Sequence, residues 1–224
     1  VKQKIICIGL PKTGTVSFCK ALRKLGFSAR HSLVVKEQRH RRLLASSRKK
    51  DELFRELLVR QCREGASTFS FPCDWFDEDY WYKVLERKDS IAEIYGLIDF
   101  EKIKEQYPNA RLVWTKRDLE PWLMSCARQF GEFGPKGGRR NLSDRMVVNR
   151  KYRFGRLFFE REAFIKIYLN FYERVENYKF DNPLENILEM DITKGDGYEK
   201  LCPFLNVPSP SSKFPHCNKN SYRP

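Results

Sequence analysis

Apolar positions in this chain form two alternating patterns: short unbroken runs, and longer stretches spaced three or four residues apart. Residues 3–9 hold the run Ile5-Ile6-Cys7-Ile8, which lacks the alternation of a half-exposed strand and predicts a buried one. From 15 to 25 the spacing turns helical, with Gly26 as its C-cap. A basic helical stretch follows from about 36 to 64, where Leu53, Leu57, Leu58 and Cys62 make a stripe starting near Asp51. Residues 66–82 are aromatic and acidic and read as an excursion. Ser90–Glu93 predicts a short strand, and Phe100–Tyr107 a helix stopped by Pro108. Residues 111–115 predict a strand and a helix begins near Leu119, with Asp118 as N-cap and Pro121 in the first turn.

Gly131, Gly134, Gly137 and Gly138 mark a flexible loop, which with the basic stretch after it reads as a lid. Phe164, Tyr168, Phe171, Val175 and Tyr178 give a long helix whose aromatic stripe faces a core. Ile187–Met190 is a last strand and Tyr198–Phe204 a last helix. Strands alternating with helices predict a three-layer α/β fold with a mainly parallel sheet, as one domain over residues 1–224. Such sheets bind ligands at the carboxyl ends of their strands.

The first run ends in Pro11-Lys12-Thr13-Gly14-Thr15-Val16-Ser17 at the start of a helix. A loop of this kind aims backbone N–H groups and the positive helix end at one point, which suits a phosphate. Lys12 adds a positive charge, and Thr13, Thr15 and Ser17 add hydroxyls. A nucleotide-hydrolysing phosphate loop puts Gly-Lys directly before Ser or Thr, and that triplet occurs nowhere in this chain.

The Pro-Lys-Thr-Gly-Thr-x-Ser pattern resembles the 5′-phosphosulfate loop of sulfotransferases that use 3′-phosphoadenosine 5′-phosphosulfate (PAPS). A second segment, TKRDLEPWLMS, resembles that family's 3′-phosphate motif, in which an Arg and a Ser eight residues apart clamp the phosphate. Arg117 and Ser125 keep that spacing here. A third, residues 188–219, resembles the closing segment of the subgroup that includes the flatworm oxamniquine-activating enzymes. The resemblance runs from Lys4 to about Lys219 and is weak between 30 and 90. It implies PAPS as sulfuryl donor, with Lys12, Thr13, Gly14, Thr15, Val16, Ser17, Arg117 and Ser125 as its binding residues, and 3′-phosphoadenosine 5′-phosphate (PAP) as product.

Composition narrows the partners. The net charge is +14, from 43 Lys and Arg against 29 Asp and Glu, which favours anionic partners. PAPS accounts for few of these charges. The runs at 39–42, 48–50 and 139–140 read as solvated faces, or as a docking surface for an acidic acceptor such as an anionic glycan or a headgroup. No nucleic-acid recognition motif is present, so nucleic acid is not an expected partner. Seven cysteines lack C-x-x-C pairs and three histidines lack metal-ligand spacing, so no metal is expected and a reducing, cytoplasmic compartment is. No membrane span or signal peptide is apparent. The chain starts at Val1, so a removed anchor and the Golgi lumen stay open, and the triplet Asn141-Leu142-Ser143 does not decide the matter.

Sulfuryl transfer leaves negative charge on the donor phosphate, which Lys12 and the loop N–H groups would meet. The acceptor, a small molecule or glycan, must lose a proton to a base. His31, His40 and His216 read as lying outside the position after a strand where many family members carry a histidine. In the resembling subgroup a carboxylate stands fourteen residues before a Tyr-Pro pair. Counting back from Tyr107 gives Glu93, a Glu where the subgroup has Asp, so Lys12 and Glu93 are the candidate catalytic residues. Asp74 is the rival base. Other readings are a different P-loop transferase and a basic nucleotide- or anion-binding module without turnover.

Overall fold

A computed structural model describes residues 3–31, 80–95, 99–131, 150 and 153–217. Its sheet has five strands: β1 (Ile5–Cys7), β2 (Ala29–His31), β3 (Ser90–Ala92), β4 (Arg111–Thr115) and β5 (Ile187–Met190). They lie in the order β2-β3-β1-β4-β5, and every pairing is parallel. The described helices are α1 (Thr15–Lys24), α2 (Tyr80–Arg87), α3 (Phe100–Gln106), α4 (Leu119–Phe130), α5 (Arg161–Asp181) and α6 (Tyr198–Leu205).

The unbroken apolar runs have a direct cause: both faces of the sheet are covered. Ile6, Leu112 and Trp114 point to the side packed with Trp122, Phe164, Phe171 and Val175 of α4 and α5. Ile5, Cys7, Val113 and Met190 point the other way, onto Phe18 and Leu22 of α1 and Leu201 of α6. This is the three-layer α/β arrangement that the alternating patterns predict. The α5 stripe is core, with Phe164, Tyr168, Phe171 and Val175 buried.

Local signals explain most element ends. Helix α1 closes with Gly26 at φ 86, where the Phe27 N–H donates to Leu22 O at 3.0 Å and the Gly26 N–H to Arg23 O at 3.1 Å. That pair of bonds needs a left-handed residue, which glycine supplies without strain. Asp118 sits at the N-cap of α4, but its side chain caps nothing. Its carboxylate instead accepts a hydrogen bond from Lys194 Nζ at 2.8 Å. Two elements lie outside the sequence expectation, β2 and the helix α2. The first strand is shorter than 3–9, since only Ile5–Cys7 pair with neighbours.

The basic stretch after 36, most of the 66–82 segment with Asp74, and the 131–138 loop beyond Gly131 lie outside the described residues. No described helix is long and apolar enough to cross a membrane. All five described cysteines are free thiols, and four of them are buried.

Gly9 sits where β1 leaves the sheet. A Cβ there would lie 1.8 Å from Thr115 Oγ1, 2.6 Å from Thr115 O and 2.7 Å from Thr13 Oγ1. Nothing at that point can yield cheaply, because two of the three neighbours belong to the β4 strand. Gly9→Ala should therefore lower unfolding stability by about 3 kcal/mol, the upper end for overpacking. Urea unfolding reads this out, and a wild-type midpoint would mean the loop approaches β4 less closely.

Candidate active site

The first loop follows β1. Its chain turns at Lys12, with φ 75, and at Gly14, with φ 97, before α1 begins at Thr15. A lysine in the left-handed region is strained, at a cost of about 1–3 kcal/mol that the surroundings must offset. Thr13 does much of that. It is fully buried, its hydroxyl lies 2.7 Å from Leu10 O, and it lies 2.7 Å from Thr115 Oγ1 on β4. On the far side a Cβ at Gly14 would meet Ile192 Cβ at 3.0 Å, so the segment after β5 presses directly on the loop. The first-turn N–H groups of α1 have no helical acceptors and face outward from the helix end.

The hydroxyls expected to serve as donors have distinct placements. Thr13 points inward, as described. Thr15 Oγ1 lies 3.1 Å from His31 Nε2. Ser17 Oγ accepts the Cys217 N–H at 2.9 Å, so its own hydrogen remains available to donate. Val16 is half-buried in the first turn.

The second loop follows β4, the strand beside β1. Arg117 Nη1 donates to Lys12 O at 3.0 Å, and Trp122 Nε1 donates to Pro11 O at 2.8 Å. The two loops are therefore hydrogen-bonded to one another at adjacent strand ends. The Arg117 main chain is fixed as well: Tyr168 donates to its carbonyl at 2.9 Å, and Tyr172 Oη lies 3.0 Å from both its N and its O. Arg117 Nε is buried without a hydrogen-bond partner. Burial pulls the guanidinium below its ordinary pKa, an effect that Asp191 partly counters. Ser125 lies half-buried two turns along α4. A cleft of about 300 Å³ opens here, lined by Arg117, Tyr168, Tyr172, Asp191 and Lys194 among others.

The third group lies at the ends of β2 and β3. Glu93 follows β3 directly and has φ 59. Its Oε2 lies 2.8 Å from His31 Nε2, and its Oε1 lies 3.4 Å from Nη1 of the buried Arg153. Burial pushes the Glu93 carboxyl up. The hydrogen bond from His31 and the charges of Arg153, His31 and Lys12 outweigh that, and hold it below the usual carboxylate range. His31 is a neighbour that the sequence reading did not pair with Glu93. It is the last residue of β2, a strand lying between the two phosphate motifs in the chain, and it faces Glu93. Among the described residues no cluster of three or more His, Cys, Asp or Glu is placed to hold a metal ion.

Residues 4–222 match the family described as Sulfotransferase domain. The chain belongs to that family. No curated protein matches it significantly. For a sulfotransferase the arrangement has a plain chemical sense, because the reaction moves a sulfuryl group away from an anionic leaving group. Lys12, the α1 N-terminus and Arg117 are the positive groups that two adjacent strand ends bring together. Glu93 and His31 stand at the next strand ends along the sheet.

The Glu93 pairing sets a pH dependence for this sulfotransferase. Its folded-state pKa lies below the unfolded value of about 4.3, so the pairing stabilises the fold above that pH and the stability is lost as pH falls through the folded pKa. Glu93→Gln removes this contribution. The drop in unfolding free energy between pH ~7 and ~3 should be smaller in the variant than in wild type. Equal drops would show that Glu93 is not paired in solution.

Proposed function

We propose that this sulfotransferase takes its sulfuryl group from PAPS and passes it to a hydroxyl or amine of a small-molecule or glycan acceptor. The observation that carries this reading is the Arg117–Lys12 hydrogen bond at 3.0 Å, which joins two loops of anion-binding character. A guanidinium that leaves Nε buried and unpartnered fits a phosphate oxygen, since such an atom otherwise bears an unrecovered desolvation cost.

When bound, PAPS supplies an activated sulfuryl group on a phosphate oxygen. Lys12, the backbone N–H groups from Gly14 to Ser17 and the Ser17 hydroxyl hold the 5′ end. Thr13 acts there through the loop's shape, because its hydroxyl faces β4, and Gly14 and Val16 act through the backbone. Arg117 and Ser125 hold the 3′-phosphate, with Arg117 aimed by the two tyrosines that grip its main chain. Lys12 then lies beside the leaving phosphate, where its charge favours the transition state over the ground state. Glu93 and the group it holds handle the proton that the acceptor gives up. The net charge of +14 raises the encounter rate with an anionic donor.

Calorimetry with PAP tests the donor assignment. Binding to wild type is expected, and well-folded protein that gives neither heat nor thermal shift overturns it. Lys12→Ala should cut sulfuryl transfer by about 10²–10³-fold, as removal of a comparable donor does elsewhere, with unfolding unchanged. Arg117→Ala should bind PAPS and adenosine 5′-phosphosulfate with nearly equal affinity. A variant that keeps the wild-type preference for PAPS removes Arg117 from the 3′-phosphate site.

A further inference from the structure

Glu93 is the carboxylate that sequence spacing singles out, yet it does not stand alone. Its Oε2 is 2.8 Å from His31 Nε2, and Thr15 Oγ1 approaches the same nitrogen at 3.1 Å. An ionised carboxylate can only accept, so the hydrogen between them must be on Nε2. Thr15 can take a share of that hydrogen through an oxygen lone pair. When the imidazole is neutral its lone pair is therefore on Nδ1, since both contacts are made by Nε2. The His31 side chain is 27% exposed and that of Glu93 21%, so the pair sits at the rim of the sheet rather than in the core.

We infer that His31 is the proton acceptor of the reaction, through Nδ1, and that Glu93 is the positioning residue that fixes its tautomer. The inference rests on the sulfotransferase reading above and names the atom that receives the acceptor's proton. In the step, the acceptor O–H bond breaks and an N–H bond forms at Nδ1. The freed electron pair makes the new O–S bond. The S–O bond to the donor phosphate breaks, and its electrons stay on the phosphate beside Lys12. His31 ends as an imidazolium paired with ionised Glu93, the arrangement by which a buried carboxylate serves a histidine base in hydrolytic triads.

The charges around the pair are consistent with this assignment. The charges of Arg153 and Lys12 add to the hydrogen bond from His31 in holding Glu93 ionised, which makes the carboxylate a weak base but a steady partner for an imidazolium. Arg30 precedes His31 in β2. Cys7 is pushed up to about 11 by burial, and burial raises Cys19 as well, so both thiols near the pair stay neutral.

Two measurements test the inference, and only one needs turnover. In ¹⁵N-labelled wild type, with His31 assigned by its loss in His31→Gln, the neutral imidazole should carry its hydrogen on Nε2. The Nδ1–H form should become populated in Glu93→Gln. Neutral His31 protonated on Nδ1 in wild type overturns the inference. The second measurement is release of labelled sulfate from PAPS, with water as acceptor, in a single turnover. Glutamine keeps an N–H donor for Glu93 but has no basic nitrogen. His31→Gln should lower the rate at least tenfold and lose the acid limb of the pH profile, while PAP affinity stays within twofold. A wild-type rate and profile in His31→Gln would return the base to Glu93. If PAP fails to bind wild type, the donor reading falls; if PAP binds and the tautomer is wrong, only this inference falls.

Discussion

Two backbone carbonyls hold this site together. Pro11 and Lys12 lie in a turn with a left-handed lysine, and both carbonyls accept hydrogen bonds from the loop after β4 and the helix that follows it. Trp122 and Arg117 supply the hydrogens from more than a hundred residues away. Left unmet, buried acceptors of this kind cost about 1–3 kcal/mol each. The buried Thr13–Thr115 contact works in the same direction, and Gly9 allows it by having no side chain where β1 passes Thr115. A lysine in a strained turn stays in place only when its surroundings over-determine it, and here the neighbouring strand's loop does so. The charge that defines the first cradle thus depends on the residues that define the second.

The same economy appears in α5. Its aromatic face fills the core, yet the two tyrosines nearest the strand ends turn their hydroxyls onto the Arg117 main chain. Stacked on each other at 3.9 Å, Tyr168 and Tyr172 have little rotamer freedom. A guanidinium is long and flexible, and holding its backbone at three points removes much of the entropy that binding would otherwise have to overcome. Core packing and ligand positioning are the work of one helix. A substitution on its stripe would disturb both at once.

What the sequence revealed follows from how local each signal is. The buried strands, the glycine that ends α1, the aromatic stripe and the first loop are each written within a dozen residues, and each appears where the pattern places it. Strand β2 is different. Ala29-Arg30-His31 has no apolar run, and only pairing with β3 makes it a strand, with His31 level with Ala92. That register brings His31 beside Glu93 across sixty residues of chain, which no count along the sequence reveals. The side chains of Asp118 and Thr13 are a similar case. Their positions are readable, but Lys194 and Thr115 decide which way they point.

Charge at the sheet's edge links the donor and acceptor halves of the site. Lys12 lies close enough to Glu93 to help lower its pKa, and it is also the cation of the loop proposed to hold the leaving phosphate. An anion bound against Lys12 cancels part of its field. Glu93 then feels less positive charge, and an imidazolium beside Glu93 meets less repulsion. In the proposed reaction, donor binding and proton removal are therefore coupled through Lys12. Two positive residues around one carboxylate look unfavourable for proton removal in the free protein. In the proposed reaction an anion bound at Lys12, donor or product, would offset part of that field and leave Arg153 as the main fixed charge beside Glu93.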